Sequence, residues 1–173
     1  EFYSRKNKTF IPECVAHLSS ILKLPDDIIL DGELMLASGT FNESIEAIKK
    51  YRHGVSENLH YYIYDLIDAT MTFEDRYQYL FKNIKPINNI VLAPTVLINN
   101  EEELTIFYKK ALSEGYEGIM LRNITGLYKI GHRSKDLLKY KPLQDAEFKI
   151  VGAEEGKGRN KGCVVWHIIT KNN

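Results

Sequence analysis

The chain has 173 residues, of which 44% are hydrophobic, and its 23 Lys and Arg residues balance its 23 Asp and Glu residues. This length can bury a core without disulfides or metals, and zero net charge excludes a global electrostatic attraction to nucleic acid. The two cysteines match no metal or redox spacing, and no segment resembles a membrane span or a signal peptide. We therefore expect an intracellular protein in a reducing compartment.

Periodicity and turn residues predict alternating helices and strands. The predicted elements are a helix over 13–23, a strand over 28–37, a helix over 42–52, a strand over 60–67, a helix over 73–84, a strand over 90–98, a helix between Asn100 and Gly115, a strand over 117–122, and short strands over 148–153 and 163–170. We expect Asn42 and Asn100 to cap their helices and Gly115 to end one in a left-handed conformation. Pro94 predicts an edge or a bulge in its strand.

Charge is distributed unevenly along the chain. Residues 26–48 contain six acids and no Lys or Arg, whereas residues 129–161 contain nine bases and five acids. Near the end of the basic segment, Lys139 and Lys141 stand two residues apart, so in a strand both ammonium groups would point to one face, where an anion could bind. This pattern alone is more typical of a solvated strand edge. One acidic and one basic segment fit a metal site near a phosphate site, and chance unevenness of composition is the alternative interpretation.

Two carboxylate-glycine pairs, Asp31-Gly32-Glu33 and Glu117-Gly118, are the other unusual strings. Each one alone usually marks a turn. If the fold brings Glu33 and Glu117 to one surface, their carboxylates would supply the oxygen ligands that Mg²⁺ prefers. We interpret Asp31 as a turn residue or as a support for its neighbours.

Four strings stand in one order along the chain: LDGEL (30–34), YYIYDLI (61–67), EGIMLR (117–122) and LLKYKP (137–142). Together with Ser4-Arg5 before them, they resemble the covalent nucleotidyltransferase superfamily, and within it the ATP-dependent DNA ligases. The resemblance implies an α+β adenylation domain of mainly antiparallel sheets flanked by helices over residues 1–142, with its N-terminal part missing. It also implies the first strands of a truncated OB-fold β-barrel over residues 143–173.

The resemblance also implies the roles of individual residues. The family's nucleotide-binding positions fall on Arg5, Glu33, Tyr64, Arg133, Lys139 and Lys141, and its metal-binding glutamates on Glu33 and Glu117. Tyr64 would stack on the purine, although without the resemblance a core tyrosine is the better interpretation. The two lysines would contact the α-phosphate. Because the alignment can slip by one position near Arg133, His132 is an alternative to it. We interpret Arg76 as structural, paired with an acid.

The resemblance implies ATP and Mg²⁺ as cofactors, a covalent lysyl-AMP intermediate, and nicked duplex DNA as the partner of a monomer. One departure from the family is clear, because the chain contains no Lys-X-Asp-Gly string. In these ligases the nucleophilic lysine precedes the Ser-Arg string, so we expect it upstream of Glu1. The chain alone is then a ligase fragment that forms no lysyl-AMP.

Three alternatives remain open at the level of sequence. An mRNA capping guanylyltransferase would also carry strings such as YYIYDLI and LLKYKP, but it usually has Asp-Gly where this chain has Glu117-Gly118. An RNA ligase of the same superfamily is a lesser alternative. A noncatalytic nucleic-acid-binding module that lost its nucleophile would differ in class from these enzymes. Comparing the binding of ATP and GTP separates the ligase from the capping enzyme.

Overall fold

The structure, a computed structural model, describes residues 1–22, 24–25, 27–141 and 146–170. The chain divides into two compact units, Glu1–Tyr140 and Lys141–Asn173. The elements of the first unit are α1 (Pro12–Ile21), β1 (Leu30–Leu36), α2 (Phe41–Lys49), β2 (Leu59–Leu66), α3 (Phe73–Asn83), β3 (Ile90–Leu92), α4 (Glu101–Ser113), β4 (Ile119–Arg122) and β5 (Leu137–Tyr140). The predicted domain boundary, between residues 142 and 143, lies outside the described residues.

The core of the first unit forms around a three-stranded sheet of order β1-β2-β3. Strand β2 pairs antiparallel with β1 and parallel with β3. Its side chains alternate as predicted, and Tyr61, Ile63 and Asp65 are buried while Tyr62 and Tyr64 are only partly covered. Helices α1 and α3 bury Leu18, Leu80 and their neighbours against this sheet in one cluster. Full burial of such side chains stabilises the fold by roughly 1.5 to 3 kcal/mol each.

A second, two-stranded sheet is the antiparallel hairpin of β4 and β5. Its long connection is closed at the base, where the Asn123 backbone N–H donates to the Asp136 carbonyl oxygen at 2.8 Å. Helix α4 contacts one face of the hairpin, since the ring of Tyr108 meets that of Tyr140 edge-on with 4.8 Å between centroids. Lys139 precedes Tyr140 and therefore points to the opposite face.

The second unit is described as one antiparallel hairpin, β6 (Lys149–Glu155) and β7 (Val164–Ile169). These two strands are compatible with the start of an OB-fold, which stays a prediction. The helices and the small, mainly antiparallel sheets of both units confirm the α+β class. No helix among the described residues is long and apolar enough to cross a membrane.

The predicted N-cap of α2, Asn42, is wrong. The helix begins at Phe41, and Thr40 caps it by accepting a hydrogen bond from the Glu43 backbone N–H at 3.3 Å. The Glu43 carboxylate accepts in return from the Thr40 backbone N–H at 2.6 Å. This reciprocal pair satisfies two helix-end donors, which a cap at position 42 would not do. The helix also ends at Lys49, three residues earlier than predicted.

The predicted strand over 90–98 is mostly irregular, because β3 ends at Leu92. The last bond to the sheet is donated by the Ala93 backbone N–H to the Ile63 carbonyl oxygen at 2.7 Å. Pro94 follows with no N–H to donate, so the strand cannot continue its ladder. The strand predicted from Glu117 begins instead at Ile119, and Glu117 lies in the bend before it.

Candidate functional site

A fully buried carboxylate, that of Asp65, lies near the end of β2. Arg76 of α3 binds both of its oxygens, with Nε at 2.7 Å from Oδ1 and Nη2 at 3.1 Å from Oδ2. The remaining guanidinium nitrogen, Nη1, donates to the backbone oxygens of Met71 and Gly126 at 2.7 and 3.2 Å. A buried ion pair needs such complete hydrogen bonding to offset desolvation. The predicted structural role of Arg76, paired with an acid, is confirmed.

A second arginine, Arg122 at the end of β4, also binds Asp65, through Nη1 and Oδ2. Its guanidinium carbon lies 4.8 Å from the centroid of the Phe73 ring and 5.8 Å from that of Tyr64. Cation–π contacts at these distances are attractive. Arg122 therefore connects the hairpin to the end of the first sheet.

Glu33 and Tyr64 lie on one face of the first sheet. Glu33 pairs with Tyr62 across β1 and β2, and Tyr62 and Tyr64 alternate onto the same side. Burial raises the pKa of the Tyr64 hydroxyl, the carboxylates of Asp31 and Glu33 raise it further, and Arg122 opposes them. Two of the predicted site residues, Glu33 and Tyr64, are thus brought together.

Asp31, in β1, forms a hydrogen bond that links the first sheet to the segment after β4. Its Oδ2 atom accepts a hydrogen bond from the Tyr128 hydroxyl at 2.7 Å, which ties β1 to the connection after β4. Burial and this hydrogen bond raise the pKa of Tyr128. Gly32, which follows Asp31 at a bulge, lies against the next strand: a Cβ there would be 2.5 Å from Tyr61 Cε2 and 2.6 Å from the Tyr62 carbonyl oxygen. The glycine is required by this close approach of the two strands.

Glu117 and Lys139 meet at the open end of the second sheet, where Nζ of Lys139 lies 3.3 Å from Oε2 of Glu117. Lys139 stands directly opposite Met120 in the register, and Met120 and Arg122 alternate onto the same face of β4. The face that carries Lys139 therefore also carries Arg122, which lies over Tyr64. Both members of the Glu117–Lys139 pair are largely exposed, so they remain accessible to a ligand.

The other predicted site residues are not connected to this cluster by hydrogen bonds or ion pairs within the described ranges. Arg5 is exposed in a tight turn in which Asn7 donates its N–H to the Ser4 carbonyl oxygen at 2.8 Å. Arg133 is exposed in the connection before β5, as is His132. Lys141 belongs to the second unit. The shared face predicted for Lys139 and Lys141 stays a prediction.

Among residues 1–22, 24–25, 27–141 and 146–170, no group of three or more His, Cys, Asp or Glu side chains is arranged to hold a metal ion. The predicted metal ligands, Glu33 and Glu117, are both exposed carboxylates. Mg²⁺ at phosphate sites is commonly held by only one or two carboxylates, with substrate phosphates and water completing the octahedron. The donor chemistry of these two residues therefore fits Mg²⁺ together with a nucleotide.

Sequence reasoning missed Arg122 and Tyr128. Both act through partners far away in the chain: Arg122 reaches Asp65 over 57 positions, and Tyr128 reaches Asp31 over 97. The only signal for Arg122 is its place at the end of the string EGIMLR, after three apolar strand residues. That pattern predicts a polar strand end but names no partner.

Comparison with known proteins agrees with this architecture. Residues 1–141 match the family described as "ATP dependent DNA ligase domain". A DNA ligase of African swine fever virus is 30% identical over 95% of this chain, and a DNA ligase of Thermococcus fumicolans is 30% identical over 91% of it. The chain spans 42% and 31% of the length of these two relatives.

Two solved structures share the fold. One, from "Structure-function analysis of Lig E DNA ligases", superposes with a TM-score of 0.76 at 23% identity. The match covers 98% of this chain and 66% of the chain in that structure. The other, "New Crystal Structure of Chlorella Virus DNA Ligase-Adenylate", has a TM-score of 0.66 at 28% identity and covers 88% of this chain and 59% of its own. These likenesses confirm the predicted α+β adenylation-domain fold. The family match over residues 1–141 shows that the chain belongs to the ATP-dependent DNA ligase domain family.

Proposed function

We propose that the chain is the nucleotide-binding part of an ATP-dependent DNA ligase that seals nicks in duplex DNA through lysyl-AMP and DNA-adenylate intermediates. The observation that carries the proposal is that two sheet faces of suitable chemistry meet where Arg122 contacts Tyr64. Tyr64 and Glu33 lie on one face of the first sheet, Arg122 lies over Tyr64, and Lys139 follows on the same face of the hairpin as Arg122. These side chains offer an aromatic ring for a purine, carboxylates for a metal ion and an ammonium group for a phosphate.

Each residue has a separate role in the proposal. The ring of Tyr64 stacks on adenine, which is worth roughly 1 to 3 kcal/mol for a base on an aromatic side chain. Lys139 donates charge-assisted hydrogen bonds to the α-phosphate, and Arg5 and Arg133 of the same unit add positive charge. Nζ of Lys139 already lies 3.3 Å from Oε2 of Glu117, so when a phosphate binds, Lys139 would replace one anionic partner with another.

Glu33 and Glu117 would hold Mg²⁺ in the nucleotide complex. When bound, the ion neutralises charge that gathers on the phosphate oxygens during phosphoryl transfer. The residues of this chain position the nucleotide and supply fixed positive charge, which is how phosphoryl transfer is mainly catalysed. The partner that we propose is nicked duplex DNA, bound by a monomer inside the cell.

Nucleotide binding to the 173-residue chain tests the proposal directly. Titration calorimetry with ATP and Mg²⁺ should detect binding, and GTP should bind more weakly. Lys139→Ala should lower the affinity for ATP about tenfold or more, the effect expected from losing a hydrogen bond to a charged group. Lys110→Ala is the matched control, because Lys110 is also an exposed lysine beside a glutamate, at 3.8 Å from Glu114, but lies on α4. Equal effects of the two substitutions would contradict the phosphate role.

Ligation itself requires the nucleophilic lysine. A protein that joins this chain to an upstream segment with a Lys-X-Asp-Gly string should form a covalent adenylate and seal a nick in duplex DNA. In that protein Lys139→Ala should strongly reduce labelling with radioactive ATP. Preferential labelling by GTP would instead indicate a capping enzyme, and labelling of the 173-residue chain alone would show that another lysine is the nucleophile.

A further inference from the structure

Asp65 is neutralised and hydrogen-bonded without any help from Arg122. Arg76 binds both carboxylate oxygens, and the Leu66 backbone N–H donates to Oδ1 at 2.9 Å. One guanidinium is sufficient to balance one carboxylate, so Arg122 adds a second positive charge to a pair that is already complete. Bringing a further cation to a protein interior has a desolvation cost, and neutralising Asp65 does not require it.

The two arginines differ in what else they contact. Arg76 is almost fully buried and lies over Phe73 and Tyr128, whereas the Arg122 side chain is 17% exposed and lies over Phe73 and Tyr64. Of the two, Arg122 is therefore the one that contacts the ring on the proposed nucleotide surface. Asp65 forms an ion pair with Arg122, and the Arg122 guanidinium lies over the Tyr64 ring.

We propose, building on the proposed function, that Arg122 is a positioning residue for nucleotide binding: Asp65 holds its guanidinium over the Tyr64 ring, which is thereby fixed in the orientation that stacks on the purine. A ring that is ordered before the ligand arrives loses less side-chain freedom on binding, so affinity rises without a new contact to the nucleotide. The planar guanidinium suits this role because it can cover a ring while it keeps an ion pair at its edge.

A double-mutant cycle with AMP as the probe tests this inference on the 173-residue chain. Arg122→Met should weaken AMP binding about three- to tenfold in calorimetry, and Tyr64→Leu about tenfold. The double variant should bind no more weakly than Tyr64→Leu alone, because Arg122 acts through a ring that is then absent. Independent effects that multiply in the double variant, or an unchanged affinity in Arg122→Met, would overturn the inference.

A stability control separates positioning from a general loss of structure. Arg122→Met leaves the Asp65–Arg76 pair intact, so we expect the variant to fold. Ile84→Val, a substitution in the buried core at the C-cap of α3, should lower the melting temperature but leave the affinity for AMP within about twofold, because it lies at the opposite end of the helix from Phe73, which contacts Arg122. If Ile84→Val weakened AMP binding as much as Arg122→Met, the effect would be structural. Should Arg122→Met fail to fold, Arg122→Lys replaces it in the cycle, because an ammonium cannot cover the ring with a planar group.

The same measurements separate this inference from the proposed function on which it rests. If the wild-type chain binds no AMP, or if Tyr64→Leu leaves the affinity unchanged, the proposed nucleotide site is wrong and the inference falls with it. If Tyr64→Leu weakens binding while Arg122→Met does not, the nucleotide site stands and only the positioning role of Arg122 is refuted.

Discussion

Asp65 on β2 and Arg122 on β4 form an ion pair that joins the two sheets of the first unit. The same carboxylate is held by Arg76 of α3, so three elements meet at one buried charge. Because both arginines share Asp65, removing its charge leaves two guanidinium groups without an anion, whereas removing either arginine leaves the carboxylate with the other one.

Asp65→Asn should strongly destabilise the protein. The substitution leaves two guanidinium groups beside an uncharged amide in the interior, and breaking a buried pair in this way typically costs about 3 to 5 kcal/mol. Urea unfolding followed by circular dichroism measures the loss. Glu46→Gln serves as the control, since it removes an exposed ion pair with Arg52, and exposed pairs contribute little. A midpoint for Asp65→Asn as high as that of the control would contradict the central role of Asp65.

Thr40→Ala should destabilise α2, whereas Asn42→Ala should not. Thr40 accepts from the Glu43 backbone N–H, and loss of such an N-cap costs about 1 kcal/mol. Asn42 lies inside the first turn, where alanine is at least as favourable for the helix. Thermal unfolding of the two variants compares these positions under one condition. A larger loss of stability for Asn42→Ala would instead support Asn42 as the N-cap, as predicted from the sequence.

Gly32→Ala should be more damaging than Gly152→Ala, although both glycines lie at irregularities in antiparallel pairs. A Cβ at Gly32 would lie 2.6 Å from the backbone oxygen of Tyr62, which cannot move without shifting β2. At Gly152 the nearest atom is Nδ1 of the His167 side chain, at 3.3 Å, which can adjust more easily. Overpacking of the first kind costs about 1 to 3 kcal/mol. Unfolding in guanidinium chloride tests the ranking, and equal losses at the two positions would refute it.

Glu57 should make folding depend on pH in the acid range. The Tyr51 hydroxyl donates to its carboxylate at 2.5 Å, and with backbone N–H donors, including Gly54 at 2.8 Å, it lowers the pKa of Glu57 from 4.5 to about 2. A group whose pKa is lower in the folded state contributes stability above its unfolded pKa, and this contribution is lost as the pH falls through the folded pKa. The stability advantage of wild type over Glu57→Gln should therefore be constant above about pH 5 and shrink between pH 4.5 and 2.

Tyr51→Phe provides the control for this pH dependence, because it removes the largest cause of the lowered pKa and keeps the carboxylate. We expect the acid-dependent part of its stability to lie between those of wild type and Glu57→Gln. Melting temperatures measured from pH 2 to 7 give the comparison. If wild type and Glu57→Gln lost stability in parallel across that range, another carboxylate would be responsible.

Helix α4 shows why some elements were predictable. Its N-cap, Asn100, accepts from the Glu103 backbone N–H at 2.9 Å, and Gly115 after it has a φ of 89°, both as expected. These signals are local, since each depends on residues within one turn of the helix end. The missed cap at Thr40 had a local signal as well: the spacing from Thr40 to Glu43 is that of a capping box.

The candidate site was predictable only in part. The strand alternation of 60–67 separated Tyr64 from Asp65 correctly, and the resemblance to ligases identified Glu117 and Lys139, which the structure brings within 3.3 Å. Periodicity could not identify the partner of Asp65, because it determines the face of a strand but not how two sheets meet. The choice of Arg122 among the bases of the chain therefore depended on tertiary structure.

The hydrogen bond from Tyr128 to Asp31 spans 97 positions, whereas Arg76 reaches Asp65 over only 11. Closing the longer loop loses more chain entropy, so the pair that closes the shorter loop can form first. On the ribosome, a nascent chain that has emerged only through α4 can already pair Asp65 with Arg76. It still lacks both Arg122 and Tyr128, so the surface that carries Tyr64 is completed only after β4 and the connection that follows it have emerged.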